Sequence, residues 1–336
     1  MIPYNCIVIG AGSIGAIKPL NIDSPHTKNI LTHAHAIKAN NKLKLYGIVE
    51  TDVDKRMEAA RRWMCEPAKS ISVFSSQYDA ADIVVVAVPT EYHLRIIKEI
   101  CEWKNAKGIK ILVMEKPFGK DLEEAEKIVS LCKQHIPQAK IVVDYSRRFS
   151  ELYLLGMDIN NGIYGKIYSA SCLYVRGLLR DGCHAIDLFN LMFGKCTYAK
   201  KIGPIGFDDY SKDDRTDFVS MSYDKCKYVS LIPHDGRAYD IFEIDIHTDQ
   251  GRLRIVEHGK MIFRYYIEKE KTFGNYNSIS AINIETSETK LENFLPALYN
   301  QCVSYLNNPK KNFIFNCTEE DALNVHRVYN MMKGQA

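Results

Sequence analysis

The first residues with the types and spacing to do chemistry are Gly10-Ala11-Gly12-Ser13-Ile14-Gly15, directly after the apolar run Cys6-Ile7-Val8-Ile9. The order reads as strand, glycine turn and helix start. The first glycine permits the tight turn and the second lets a pyrophosphate approach the backbone. The third allows close helix–strand packing, with the phosphates at the helix N-terminus. Glu50 ends the next predicted strand, where an acid holds the adenosine ribose hydroxyls. It lies 35 residues beyond Gly15, against about 20 in the usual dinucleotide fingerprint. The excess fits an inserted loop around Lys18–Pro25, with the helix resuming near Lys28. His33 and His35 then belong to that loop and helix. An acid at Glu50 repels a 2′-phosphate, so the expected cofactor is NAD, with NADP possible. Asp52 and Asp54 leave open a merely solvated strand-end cluster.

Two further groups fall at predicted strand ends, where a doubly wound sheet binds ligands. Val88-Pro89-Thr90 follows the fourth strand, and Pro89 would shape the loop beside the nicotinamide ribose. His93 opens the next helix, as a cofactor contact or simply as a helix-start residue. Met114-Glu115-Lys116-Pro117 closes the fifth strand. Pro117 cannot continue a central ladder, so the chain leaves the sheet and Lys116 stands at its ligand edge. A lysine there can hydrogen-bond a hydroxyl or carbonyl being oxidised or reduced and stabilise oxyanion character. A plain surface lysine has the same local signature.

The elements that position these groups alternate. Predicted strands are Cys6–Ile9, Lys44–Glu50, Ile71–Phe74, Asp82–Val88, Ile109–Glu115 and Lys140–Asp144. Helices fall at Asp54–Cys65, Tyr92–Trp103 and Leu122–His135, the last capped by Asp121. This rhythm predicts a parallel, doubly wound sheet. After Tyr145 it changes. Short helices near Glu151–Asn160 and His184–Phe193 flank a strand at Ile167–Tyr174. Strands follow at 197–203, 217–223, 226–232, 240–247, 252–257, 261–267 and 279–285, and helices 291–307 and 318–333 close the chain. The expected organisation is a Rossmann domain over 1–145 and a substrate-binding and oligomerisation domain over 146–336.

Composition narrows the class. The 336 residues are 46% hydrophobic and 25% charged, and 44 basic against 41 acidic side chains leave a net charge of +3. That balance is too even for nucleic acid as a main partner. The ten cysteines are scattered without a C-x-x-C pair, which suits reduced thiols in the cytoplasm. The start has no charged n-region, and no apolar stretch approaches the roughly 18 residues of a membrane span. No ligand cluster with metal-site spacing stands out, so no metal is expected.

Gly10–Gly15, Ala87-Val88-Pro89-Thr90-Glu91-Tyr92-His93 and Glu115-Lys116-Pro117 occur in order, followed by Tyr145-Ser146-Arg147-Arg148-Phe149 and Gly182-Cys183-His184-Ala185-Ile186-Asp187. Together they resemble the glucose–fructose oxidoreductase / inositol dehydrogenase (Gfo/Idh/MocA) family across nearly the whole chain. The resemblance implies a Rossmann domain followed by an α/β domain with a large open, mainly antiparallel sheet. It implies NAD(P), a sugar, polyol or nucleotide-sugar substrate, Lys116 at the reacting group and His184 as acid/base. Asp187 shares a helical face with His184 and would orient it or bind a substrate hydroxyl. Many members carry an aspartate four residues before the histidine, where this chain has Arg180. Asp181 either replaces it or caps the helix. Tyr145, Arg148, Tyr174 and Arg176 suit a hydroxylated ligand, or are strand-edge and cap residues. The open sheet implied by the family favours a homodimer or homotetramer. The expected activity is hydride transfer to or from a secondary alcohol or ketone. The alternatives are transient use of tightly bound NAD for elimination or epimerisation, and a non-catalytic NAD-binding regulator.

Overall fold

The computed structural model describes residues 3–78, 81–272, 274–309 and 313–333. The chain forms two compact units, Met1–Phe149 with Glu292–Leu323, and Ser150–Leu291 with Asn324–Ala336. The first ends within four residues of the predicted cut at 145, but it also takes segment 292–323, predicted to lie in the second domain.

In the first unit, β1 (Tyr4–Ile9), β2 (Leu43–Val49), β3 (Glu66–Ala68), β4 (Ile83–Val86), β5 (Ile111–Met114) and β6 (Lys140–Val143) form one parallel sheet in the order β3-β2-β1-β4-β5-β6. The order reverses between β1 and β4, the switch point where such sheets bind ligands. Both central strands are apolar because helices cover both faces, and every residue of β4 and β5 is buried. The helices are α1 (His33–Ala39), α2 (Val53–Trp63), α3 (Ile71–Gln77), α4 (His93–Cys101) and α5 (Leu122–His135), with α8 described below. The predicted strand Ile71–Phe74 is helix α3 instead. Ser70 Oγ accepts from Val73 N at 3.2 Å, so the cap outweighs the short β-branched run.

The helix after the glycine turn resumes later than expected, at His33 rather than near Lys28. Ala16 N and Ile17 N both donate to Gly12 O, at 3.0 and 3.1 Å, completing one turn. His33 N and Ala34 N then donate to Ile14 O and Gly15 O, both at 2.9 Å. Those are the bonds that residues 18 and 19 would make in an unbroken helix, and Pro19 has no N–H to give. The segment between is looped out and tied down. Asp23, fully buried, accepts from Leu31 N at 3.1 Å and Thr32 Oγ1 at 2.7 Å, and lies 2.6 Å from His35 Nδ1. Arg62 donates to Lys18 O at 2.6 Å and Trp63 Nε1 to Ala16 O at 2.8 Å.

In the second unit, α6 (Glu151–Asn160), β7 (Ile167–Tyr174) and α7 (Cys183–Phe193) precede β8 (Cys196–Phe207), β9 (Thr216–Tyr223), β10 (Tyr228–Pro233), β11 (Glu243–Thr248), β12 (Gly251–Val256), β13 (Met261–Lys269) and β14 (Asn277–Glu288). The eight strands lie in the order β14-β13-β12-β11-β7-β10-β9-β8. Only β7 and β10 run parallel; the other neighbours are antiparallel. Phe189 and Phe193 of α7 pack edge-on against Tyr223, seating that helix on the sheet. The chain closes with α8 (Phe294–Asn307) and α9 (Glu319–Lys333). No described helix is long and apolar enough to cross a membrane.

Candidate active site

The glycine loop meets the steric demands of a bound pyrophosphate. Gly10 has φ +99°, and a Cβ there would come 2.5 Å from Ala87 O. A Cβ on Gly15 would collide with Gly10 O. A Cβ on Gly12 would meet nothing within 4 Å, so its backbone borders open space beside exposed Ser13 and half-buried Ile14. These residues fit the phosphates of a dinucleotide.

Glu50 reaches this loop. Its Oε2 accepts from Ala11 N at 2.9 Å and its Oε1 from Asp52 N at 3.0 Å. The solvated-cluster alternative does not describe such a placement. Arg56 donates to Glu50 O at 2.6 Å and Thr51 O at 3.0 Å, so its guanidinium is committed to backbone. A cleft beside Gly10 and Glu50 is lined by Val49, Val88, Ile71 and Ile96, with Lys69 and Arg95 also on its wall. Sequence patterns missed Lys69, Ile71, Arg95 and Ile96. The misread strand at 71–74 hid the first two, and the others lie on a helix surface with no motif.

Pro89 is exposed and Thr90 half-buried after β4. His93 is fully buried, with Nδ1 3.2 Å from Phe118 O and Nε2 3.0 Å from Val88 O. It staples the loops after β4 and β5, and burial lowers its pKa. A cofactor contact for it is therefore withdrawn, because the fully buried ring has a backbone carbonyl against each nitrogen and its one N–H serves one of them.

Lys116 stands, half-buried, just past β5, and its peptide to Pro117 is cis. Glu115 N still bonds Val86 O at 3.1 Å. Met114 pairs with Val143, so the next residues, Glu115 and Asp144, emerge side by side. Helix α1 brings His33 Nε2 to 3.0 Å from Glu115 Oε1 and 3.8 Å from Asp144 Oδ2. His33, Glu115 and Asp144 thus offer three ligand-type atoms within 4.8 Å of one another. Linear spacing hid this cluster, which strand register and the late helix restart create.

In the second unit a wide π turn, Leu178–Gly182, leads into α7, where His184 and Asp187 are buried one turn apart. Such turns recur at functional sites. Asp181 directly precedes Gly182, the N-cap residue of α7. The turn is capped from afar by Asp214, whose carboxylate accepts from Leu179 N at 2.8 Å and Arg180 N at 2.9 Å. Arg180 lays its guanidinium 4.1 Å from the Tyr210 ring centre. Arg176 has φ +59°, donates its N–H to Asp209 at 2.8 Å and pairs with Asp240 at 2.6 Å.

Two predicted substrate contacts, Tyr174 and Arg148, are turned to partners inside the protein. Tyr174 is fully buried and donates its hydroxyl to Asp217 O at 2.6 Å. Tyr145 is equally buried. Arg148, 3% exposed, reaches Asn316 O at 3.5 Å and Asp321 at 3.4 Å. Sequence showed the polarity of Tyr174 and Arg148 but not these internal partners.

Residues 4–141 match the model of the Gfo/Idh/MocA family, an oxidoreductase family with an NAD-binding Rossmann fold. No curated protein sequence matches the chain. Among solved structures it resembles the WlbA dehydrogenase from Bordetella pertussis in complex with NADH and UDP-GlcNAcA, at 15% identity and TM-score 0.71 over 99% of this chain and 96% of that one. It also resembles the UDP-N-acetylglucosamine 3-dehydrogenase GnnA from Acidithiobacillus ferrooxidans, at 14% identity and TM-score 0.72 over 99% and 98%. The super-repressor mutant of Gal80p from Saccharomyces cerevisiae matches at 16% identity and TM-score 0.74 over 99% and 97%. At such identities these three share its fold.

Proposed function

We propose that this chain, whose residues 4–141 match the model of the Gfo/Idh/MocA oxidoreductase family, transfers a hydride between NAD(H) and a secondary alcohol or ketone of a sugar, polyol or nucleotide sugar. The observation that carries this proposal is a single sheet edge bearing both the open backbone at Gly12 and, two strands away, Lys116. Gly10 to Gly15 hold the pyrophosphate, Glu50 the adenosine ribose, and Val88, Pro89 and Thr90 flank the nicotinamide ribose. The bound cofactor supplies or accepts the hydride. Lys116 hydrogen-bonds the reacting oxygen and stabilises its developing negative charge. His184 moves the hydroxyl proton, Asp187 orients it, and Asp181 and Arg176 bind substrate hydroxyls. Exposed isoleucines on β13 and β14, including Ile282 at 92%, favour self-association. The cytoplasm is the proposed compartment, since no disulfide joins the cysteines among the described residues.

NAD is expected to bind at least about tenfold more tightly than NADP, about 1.4 kcal/mol. The charge of Glu50 opposes a 2′-phosphate, and Arg56 is held on backbone carbonyls. Calorimetric titration of both cofactors checks this, and Glu50→Gln should narrow the gap. A tighter NADP complex would move the specificity role to Lys69 and Arg95.

Asp181→Asn is expected to raise KM or lower turnover several-fold while the melting temperature stays put, since an amide can still cap a helix. Unchanged kinetics would remove Asp181 from the site. One observation favours a non-catalytic regulator as the second reading: Arg180 holds the position four before His184 and stacks on Tyr210. The Gal80p likeness keeps that reading in view.

A further inference from the structure

We propose that Asp214 and Thr216 are positioning residues for His184, holding the first turn of α7 where its imidazole can move the substrate proton. The proposal rests on the role given to His184 above. Between the end of β7 and the start of α7, the successive N–H groups of residues 176 to 180 are all taken by one distant segment. Arg176 N donates to Asp209 Oδ2 at 2.8 Å and Gly177 N to Thr216 Oγ1 at 2.7 Å. Leu178 N donates to Arg215 O at 3.1 Å. Leu179 N and Arg180 N complete the series on the two oxygens of Asp214, at 2.8 and 2.9 Å. Asp181 N and Gly182 N then close on Gly177 O, at 3.1 and 3.0 Å. Loop N–H groups commonly go to water or to scattered partners; here one segment sets the backbone that leads into the helix.

The clamp has its own support. Thr216, fully buried, donates its hydroxyl to Asp209 Oδ1 at 2.5 Å, and Asp209 Oδ2 also accepts from Gly236 N at 2.9 Å. Segment 209–216 thereby ties together the ends of β7, β9 and β10, and β10 lies between the other two in the sheet. Arg176 has φ +59° and Gly177 φ +88°. A chain keeps such left-handed values on a non-glycine residue only where its surroundings impose them, and they cluster at functional sites. The carboxylate packs directly on the turn, since a Cβ on Gly177 would come 2.4 Å from Asp214 Oδ2. Helix α7 begins at Cys183 with no residue between it and the turn, so a shift of the turn passes straight to His184. The far end of α7 is anchored separately, where Phe189 and Phe193 pack on Tyr223. Weakening the clamp therefore moves His184 while the helix stays on the sheet. A displacement of about 1 Å can cost about 100-fold in rate.

Three variants of the full chain test the clamp. Asp214→Asn keeps the side chain's size but sets an amide N–H against one of the two backbone N–H groups. Thr216→Val keeps the shape and deprives Gly177 N of its acceptor, while Thr216→Ser keeps the hydroxyl. Well below each melting midpoint, kcat is expected to fall about 10- to 100-fold in Asp214→Asn and Thr216→Val. The Kd for NAD should not change, and Thr216→Ser should stay near the wild type. A merely stabilising cap would lower the melting temperature and leave kcat of the folded chain alone. If Asp214→Asn does not fold, the two Thr216 variants carry the test. A second readout needs no turnover. In spectra of the 15N-histidine-labelled chain, the ring signals of His184 are assigned by their loss in His184→Ala. They are expected to move in Asp214→Asn and Thr216→Val and to keep their wild-type place in Thr216→Ser. Unmoved His184 signals, or native kcat in the folded variants, would overturn the proposal. Moved signals in a chain that converts no substrate would uphold the clamp and reject the dehydrogenase reading, so the two failures are told apart.

Discussion

Lys116→Ala is expected to lower turnover at least about 100-fold with the fold intact, and His184→Ala to do the same. Lys116 is half-buried at a strand end, so its loss removes charge without opening the core. The cost falls where negative charge develops on the reacting oxygen, and kcat should drop while cofactor affinity changes little. His184 is 7% exposed within α7, so its replacement also needs a melting curve to show that the helix stays seated. Near-native turnover in either variant would remove that residue from the chemistry.

A second large effect is expected in stability. Asp23→Ala should cost about 3–5 kcal/mol, because it strips a buried carboxylate from partners that stay behind. Leu31 N, Thr32 Oγ1 and His35 Nδ1 all lose their acceptor at once. These contacts fix the point where the chain re-enters α1, whose first N–H groups bond the carbonyls of the glycine turn. Cofactor affinity should therefore fall together with the denaturation midpoint. A loss below about 1 kcal/mol would mean that Arg62 and Trp63 hold the loop unaided.

Asp23 also marks where sequence patterns stop being sufficient. The buried parallel strands were legible because burial on both faces demands unbroken apolar runs, as in Ile83–Val86. Leu122–His135 and Glu151–Asn160 were legible to the residue, since cap and periodicity agree there. Ile71–Phe74 misled because a β-branched pair in a short run carries the same local signal as a strand. The restart at His33 was hidden because Pro19 breaks the helix locally while the bonds that resume it come from a distant segment.

The site was legible as motifs and illegible as contacts. Gly10 turns at positive φ and Gly15 packs closely, as their spacing implied, and the backbone at Gly12 borders open space. Tyr174 and Arg148 carried polar groups whose partners, Asp217 and Asp321, lie far along the chain. The Asp214 cap and the His33–Glu115–Asp144 cluster likewise arise from tertiary register, which no local pattern encodes.

The most direct test of hydride transfer is stoichiometry, with the purified chain, NAD and a panel of sugars, polyols and nucleotide sugars. The account predicts one NADH formed for each substrate molecule oxidised, and none formed by Lys116→Ala. A substrate converted with no net NADH would contradict it in favour of elimination or epimerisation. Tight NAD binding with no conversion across the panel would contradict it in favour of a regulator.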